Sequence, residues 1–166
     1  MIAWVRSKRA TPGAVGKLEQ MSEDGVNVKQ AVPFFRVANL PSSLKFYVDG
    51  LGFEKTKEWV HEGRLRWCWL ECGGAAIMLQ EKWQEGQDSK ETMGRPGVGV
   101  SVCLMCEDAL SVYESARLKG VLAEPPFVGN GLWVVAFSDP DGYRIEFESP
   151  TDVREGTRYE DRPGEN

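Results

Sequence analysis

The feature that most constrains the fold of this chain is an order of predicted elements, β-α-β-β-β, that occurs twice along its 166 residues. Leu44 and Tyr47 in the first predicted helix have counterparts in Leu110 and Tyr113 of the second, 66 residues later. Self-similarity at a fixed interval indicates a duplicated supersecondary unit. The sequence therefore predicts an α+β fold in which two βαβββ modules build a curved mixed sheet around a cleft, with the helices on its outer face.

The pattern also sets the bounds of the two modules. The first module is predicted to cover residues 28–80 and the second residues 98–149. Alternation of apolar and polar residues indicates four strands in each, because successive side chains point to opposite faces of a strand. The predicted strands are 28–37, 53–60, 65–71 and 75–80 in the first module, and 98–105, 121–128, 132–138 and 143–148 in the second.

Each module has one helix with a recognisable start. Asn39, followed by Pro41, is expected to cap the first helix, and Glu107 or Asp108 the second. Apolar residues at helical spacing give each helix one stripe that faces the sheet. The residues expected to be buried between helices and sheets are Phe35, Leu44, Tyr47, Leu110, Tyr113, Ile145 and Phe147.

Three polar segments flank the modules. Residues 1–27 are predicted to be a loose N-terminal extension, residues 81–97 a linker between the modules, and residues 150–166 a loose polar C-terminal tail. None of the three has a sustained apolar period, so none is expected to contribute to a core.

The charge balance excludes two classes of partner. The formal net charge is −5, and no cluster of basic residues stands out. Nucleic acids and anionic membranes both require clustered Lys and Arg, so neither is expected as a partner. No apolar run reaches the length of a membrane span, and the start of the chain lacks the pattern of a secretory signal. A cytoplasmic location is therefore predicted.

The four cysteines allow two interpretations. Cys68 and Cys72, together with Cys103 and Cys106, could hold zinc as thiolates. Each pair also lies in or beside an apolar, strand-like run, where a free cysteine is commonly a small buried hydrophobic residue. The second interpretation is favoured, and it agrees with reduced cysteines in the cytoplasm.

Two stretches carry a resemblance to a known family. Residues 32–54 read VPFFRVANLPSSLKFYVDGLGFE, residues 134–149 read VVAFSDPDGYRIEFES, and the run GGAAIMLQ at 73–80 lies between them. The first resembles the opening strand and helix, and the second the closing hairpin, of the glyoxalase/bleomycin-resistance/extradiol-dioxygenase (vicinal oxygen chelate) superfamily. The resemblance extends over residues 28–149, and it implies the same two-module fold.

In metal-dependent members of this superfamily, four His or Glu ligands come from four strands. The resemblance places Val32, Met78, Ser101 and Glu146 at those positions, so only one of them is a ligand type. A single carboxylate does not hold a divalent transition metal, and His61, the only histidine, falls in a predicted turn. We therefore expect no metal and no other cofactor, and a protein closest in character to the metal-free, bleomycin-resistance-like members.

Strand alternation predicts which side chains line the cleft. Trp67 and Trp69 share one face of the third strand, and tryptophan stacks on flat ring systems and on cations. Glu146 is the best candidate for a catalytic residue. The full set predicted to line the cleft is Phe34, Arg36, Trp67, Trp69, Met78, Ser101, Cys103, Trp133, Arg144, Glu146 and Glu148.

These observations support three hypotheses about function. The first is a metal-independent protein that binds a small molecule and sequesters an aromatic or cationic natural product. The second is a superfamily enzyme, a glyoxalase-like lyase or isomerase or a dioxygenase, that uses Glu146 with an atypical metal or with acid–base help from Arg36 or Arg144. The third is a domain kept for its fold or for subunit assembly. The resemblance also implies a homodimer, whose modules pair within one chain or are exchanged between two.

Overall fold

The computed structural model describes residues 29–82 and 96–159, and the described residues from Val32 onward belong to one compact unit. In the first module, helix α1 is α-helical over Leu40–Leu44 and π-helical over Lys45–Gly50. Its strands are β1 (Phe34–Val37), β2 (Glu54–His61), β3 (Arg64–Cys72) and β4 (Ala75–Glu81). The second module contains β5 (Ser101–Met105), α2 (Ala109–Leu118), β6 (Phe127–Gly129), β7 (Leu132–Ser138) and β8 (Arg144–Pro150).

Both modules have the same sheet topology. The strand order is β1-β4-β3-β2 in the first sheet and β5-β8-β7-β6 in the second. In each sheet the first and last strands of the module pair in parallel, and the remaining pairs are antiparallel. The predicted α+β fold with two βαβββ modules is confirmed, and each module forms its own hydrogen-bonded sheet.

The helices start where the sequence predicts. The Asn39 side chain accepts a hydrogen bond from the Ser42 amide at 2.9 Å, and Asp108 accepts one from the Ser111 amide at 3.1 Å. These side chains satisfy amides that have no partner within the first turn of a helix. Neither described helix has the length and apolar character that a membrane crossing requires.

Several strand boundaries differ from the prediction, and those of β1, β6 and β4 have a clear cause. Strands β1 and β6 are shorter than expected, because Pro33 and Pro126 stand directly before them and proline has no amide to donate to a sheet. Strand β4 is longer, because Glu81 belongs to it rather than to the linker. Glu81 is 3% exposed and pairs with Arg66 at 2.9 Å and with Arg64 at 3.1 Å. Most of the predicted linker, residues 83–95, lies outside the described residues, as does the predicted extension 1–27.

The hydrophobic core forms between the helices and one face of each sheet. Five of the residues predicted to be buried there are buried in the structure: Phe35, Tyr47, Tyr113, Ile145 and Phe147. Leu44 and Leu110 are only half-buried and pack against the edge of this core. The helix faces were therefore predicted correctly, but the tyrosine of each helix fills the core more deeply than the leucine does.

The C-terminal segment was predicted to be a loose tail, but up to Tyr159 it packs against the second module. The Tyr159 ring packs against Tyr113 and Trp133, at centroid distances of 5.4 Å and 6.4 Å. Its hydroxyl donates to Glu114 Oε1 at 2.7 Å, and its amide donates to the Pro126 carbonyl. The sequence missed this contact because a single aromatic residue in a polar segment leaves no periodic signal.

The two modules are joined on their helix sides. The Tyr47 hydroxyl donates to Asp139 Oδ2 at 3.0 Å, and the Phe35 and Tyr143 rings stack with their centroids 4.2 Å apart. The Tyr143 hydroxyl also accepts from the Arg36 amide at 3.2 Å. The turn between β7 and β8, which carries the Asp-Pro-Asp-Gly motif, thus anchors the second module to the first.

Candidate functional site

The first sheet presents an aromatic face on the side away from the helices. Strand pairing places Trp59, Trp67, Gln80 and Arg36 in one row across the sheet, and Lys57, Trp69, Met78 and Phe34 in the next. The alternating residues of β3 and β4, such as Leu70 and Leu79, point into the core instead. We call these eight residues the aromatic face.

Large rings on the aromatic face remain in contact with solvent. Phe34 is 45% exposed and Trp59 is 43% exposed, while Trp67, Trp69 and Met78 are half-buried. A contiguous apolar surface of this kind is typical of a binding site or an interface, because exposure of large rings to water is unfavourable. The predicted cleft residues of the first module therefore lie together on one surface; their role in binding stays a prediction.

Neighbouring polar groups hold the Trp69 ring in place. Its indole N–H donates to Glu71 Oε1 at 2.7 Å, and the Lys57 ammonium lies 4.5 Å from the ring centroid. A cation over an indole face is an attractive contact. At the rim, His61 ends strand β2 and stacks on Trp59 at 5.5 Å, so the prediction that it sits in a turn is wrong by one residue.

The second sheet presents an acidic face in the corresponding position. Strand pairing places Ser101 beside Arg144, Cys103 beside Glu146 and Met105 beside Glu148. These six residues form the acidic face. All five cleft residues predicted from strands β5 and β8 lie on it, and the sixth, Met105, is 64% exposed.

Glu146 is at the centre of a hydrogen-bonded group on the acidic face. Arg144 Nε donates to Glu146 Oε1 at 2.6 Å, and the Cys103 thiol donates to Glu146 Oε2 at 3.3 Å. A second carboxylate, Glu124, binds the other end of the Arg144 guanidinium at 2.6 Å. The hydrogen bonds that Arg144 donates to Glu124 and Glu146 raise its pKa above the ordinary value, so this guanidinium stays charged.

The thiol of Cys103 stays protonated at neutral pH. Desolvation raises its pKa to about 12, with hydrogen bonds to Glu146 and Glu148 acting in the same direction. A thiol with so high a pKa is a poor nucleophile and a poor metal ligand. The group therefore offers carboxylate acceptors but no reactive thiolate.

The residues that the resemblance places at the superfamily's metal positions do not fit a transition metal. Val32 and Met78 offer no ligand atom suited to such an ion, and Ser101 offers only a neutral hydroxyl, which leaves Glu146 alone. Among the described residues, one other group of donors could hold an ion: Cys103, Glu146 and Glu148 have ligand atoms within 4.8 Å of one another. An ion there would have to displace the thiol proton and compete with Arg144 for Glu146.

Trp133 was assigned to the wrong face. It is 5% exposed, belongs to the core and lies opposite Ser149 in the register of β7 and β8. The neighbouring residues Val134 and Ala136 occupy the side of the acidic face, opposite Glu148 and Glu146. Five consecutive residues of β7 are buried, so the sequence contained no alternation that could distinguish its two faces.

The prediction also missed Lys57 and Trp59. Strand β2 alternates Lys57 and Trp59 with Glu58, which was the available signal. The pairing of β2 with β3 shifts register twice, between Lys55 and Lys57 and again after Trp59. A β-bulge of this kind changes which face a residue occupies, so the strand pattern did not identify them.

The duplicated fold and its two exposed sheet faces define a class of proteins built from paired βαβββ modules. A family model described as Glyoxalase/Bleomycin resistance protein/Dioxygenase superfamily matches residues 18–147. The chain belongs to this superfamily.

Two relatives and one solved structure illustrate the range of this superfamily. A protein of Synechocystis sp. named probable lactoylglutathione lyase is 37% identical over 67% of this chain and 87% of its own. The lactoylglutathione lyase of Haemophilus influenzae is 32% identical over 73% of this chain and 92% of its own. The crystal structure of TnmS3, an antibiotic binding protein from Streptomyces sp. CB03234, has a TM-score of 0.57 and 22% identity, covering 76% of this chain and all of that one. The last likeness shows the fold.

Proposed function

We propose that this protein binds a flat aromatic or cationic small molecule without the help of a metal, and so sequesters it. The aromatic face carries this proposal, because it offers exposed and half-buried rings around Met78, one of the positions where the superfamily resemblance implies a metal ligand. Stacking on tryptophan contributes about 0.5–2 kcal/mol per contact, and it needs no metal. The fold shared with an antibiotic binding protein supports the same function.

The binding site in this proposal is completed by a second copy of the chain. The two modules are joined on their helix sides, which leaves the aromatic face and the acidic face on separate sheets. Arg36 and Lys57 give the aromatic face positive charge, whereas Glu146 and Glu148 give the other face negative charge. Complementary faces of this kind favour association. A two-fold axis that sets the aromatic face of each copy against the acidic face of the other gives a closed homodimer with two equal sites.

We expect planar cationic compounds of the bleomycin type to quench the tryptophan fluorescence of the purified protein saturably. The quenching should persist in about 0.5 M salt, where exposed ion pairs contribute little.

Trp69→Ala should weaken binding about 3- to 30-fold through the loss of one stacking partner. Glu146→Gln should weaken it by about 1–3 kcal/mol. Trp133→Phe is the matched control and should leave the affinity unchanged, because Trp133 lies in the core. If no compound of a panel of planar antibiotics quenches saturably at about 100 μM, roughly −5.5 kcal/mol of binding free energy, the proposal is wrong.

Mixing the two damaged chains tests whether the site is shared. In a mixed dimer of Trp69→Ala and Glu146→Gln, one site combines both changes and the other combines two intact faces. An equimolar mixture should therefore regain about a quarter of the wild-type sites. If each site lies within one chain, mixing restores nothing.

A second candidate function is supported by the names of the relatives. Two proteins that are 32–37% identical to this chain are named as lactoylglutathione lyases, one of them as a probable one. An enzyme of that kind would need an ion at the group formed by Cys103, Glu146 and Glu148.

We expect protein purified without chelators and then exposed to Zn²⁺, Ni²⁺ or Fe²⁺ to hold well under one ion per chain. The lactoylglutathione lyase activity of wild type should be no higher than that of a Glu146→Gln control. The reason is that a catalytic ion usually needs at least three protein ligands. Elemental analysis and a lyase assay on the same sample measure both quantities. One ion per chain together with lyase activity that Glu146→Gln abolishes would favour the enzyme over the binding protein.

A further inference from the structure

We propose a second small-molecule site, separate from the aromatic and acidic faces, in a cavity of about 520 Å³ between the modules. One wall is the π-helical half of α1, and the other is the segment that follows α2, from Lys119 to Leu122. Its volume lies within the range of about 300–1,000 Å³ that is typical of ligand pockets. We infer that it takes a flat apolar molecule that carries one carboxylate or sulfonate.

The π-helical turn gives the cavity its shape. The Leu51 amide bonds to the Phe46 carbonyl, five residues back, at 3.0 Å, so this end of α1 is wider than an α-helix. Such turns are rare in proteins, and those that occur often lie at functional sites. Gly50 lies where the modules touch, and a Cβ there would stand 2.5 Å from Val121 Cγ2. The close approach of the two walls thus depends on a glycine.

The lining of the cavity indicates the chemistry of its ligand. Phe46, Val121, Leu122 and Pro140 supply apolar surface for a flat ring. Contact with these side chains would remove part of such a ring from water, which is favourable.

The charges of the cavity favour an anion. Lys45 and Lys119 lie on opposite walls, against one carboxylate, Asp49. Among the described residues Asp49 forms an ion pair with neither lysine, so the lysines are not neutralised. Lys119 Nζ donates to the Gly50 carbonyl at 3.3 Å, and this contact fixes the ammonium at the junction of the walls while leaving further N–H groups. One anionic group on an apolar ring therefore matches the lining.

Two naphthalene derivatives of opposite charge test this site: 2-naphthoate and 2-naphthylmethylamine. In two-dimensional ¹H–¹⁵N NMR spectra of the labelled full chain, naphthoate should shift amides of residues 45–50 and 119–122 saturably. Lys45→Gln should weaken naphthoate binding about fivefold, as the loss of a solvent-accessible ion pair does. The amine should bind more weakly than the carboxylate. In Trp69→Ala the saturable shifts of residues 45–50 and 119–122 should persist, because Trp69 does not line this cavity, so failure here is distinguishable from failure at the aromatic face.

A matched pair of leucines provides the control for the cavity itself. Leu122 is 90% exposed and lines the cavity, whereas Leu118 is 89% exposed and lies outside it. Both accept a larger side chain without loss of core packing. Leu122→Trp should fill the cavity and weaken naphthoate binding more than tenfold, and Leu118→Trp should not change it. The proposal is overturned if both substitutions weaken binding equally, if the amine binds as tightly as the carboxylate, or if the shifts cluster on the aromatic face or are absent at millimolar naphthoate.

Discussion

Replacement of Glu81 by alanine is expected to lower the free energy of unfolding by about 3–5 kcal/mol. Glu81 is 3% exposed and accepts hydrogen bonds from Arg66, whose side chain is only 13% exposed, and from Arg64. Its Oε1 atom also accepts from the Leu40 amide in the first turn of α1 at 3.4 Å. Removal of the carboxylate takes two ion pairs from a buried site and leaves the Leu40 amide and the buried end of Arg66 without this acceptor, and this is the costly outcome.

Chemical denaturation of two further variants checks the cause. Glu58→Ala removes an exposed carboxylate that pairs with Lys55 on the surface, and it should cost no more than about 0.5 kcal/mol. The double variant Glu81→Ala/Arg66→Met should recover much of the loss, because it removes the largely buried Arg66 charge together with the carboxylate. A loss below about 1 kcal/mol for Glu81→Ala would show that Arg66 reaches water when its partner is removed.

A loss of similar size is expected for Asp139→Ala. The Asp139 side chain is almost fully buried and accepts hydrogen bonds from the Tyr47 hydroxyl at 3.0 Å and from the amides of Asp141 and Tyr143 at 3.0 and 2.8 Å. Each buried donor left without a partner costs about 1–3 kcal/mol. Because the Asp141 and Tyr143 amides are only part-buried, we expect a total at the lower end, about 3–5 kcal/mol. Asp139→Asn should cost much less, because an amide can accept from the backbone and donate to the Tyr47 oxygen.

The pH dependence of stability gives an independent measure of the same group. Burial raises the pKa of Asp139 above its ordinary value, although hydrogen bonds from Tyr143, Tyr47 and Asp141 lower it in part. A raised folded-state pKa means that the folded protein binds the proton more tightly than the unfolded chain does. The contribution of Asp139 is therefore fully present below about pH 4, and it falls as the pH rises through the folded-state pKa. Thermal unfolding across this range should show wild type losing stability relative to Asp139→Asn as the pH rises; the opposite trend would contradict a raised pKa.

Local signals were sufficient for the module order and for much of the two faces. Caps, turn residues and period-two alternation act between near neighbours. The sequence therefore predicts the Asn39 cap and the shared face of Trp67 and Trp69 correctly, and it offers Asp108 as one of two possible caps of α2. What failed depends on contacts between distant segments. The buried position of Trp133 follows from the register of two strands, and the docking of Tyr159 follows from a partner 46 residues earlier, Tyr113.

The junction between the modules could not be predicted for the same reason. The bond between Tyr47 and Asp139 joins residues 92 positions apart. The Asp-Pro-Asp-Gly motif indicated a turn, since Asp, Pro and Gly favour turns for local reasons. Nothing in the local sequence indicated that its first aspartate would accept a hydrogen bond from the helix of the other module.

The parallel pairing of the first and last strands of each module has a consequence for the order of folding. Strands β2, β3 and β4 follow one another as antiparallel neighbours, so they can pair through short turns. Strand β1 can join only after β4 has formed its edge, because Phe34 pairs with Met78. The same holds in the second module, where Ser101 of β5 pairs with Arg144 of β8. Closing a loop of this length costs chain entropy before any contact repays it, and non-local pairing of this kind slows folding. Each module is thus completed by the strand that leaves the ribosome first.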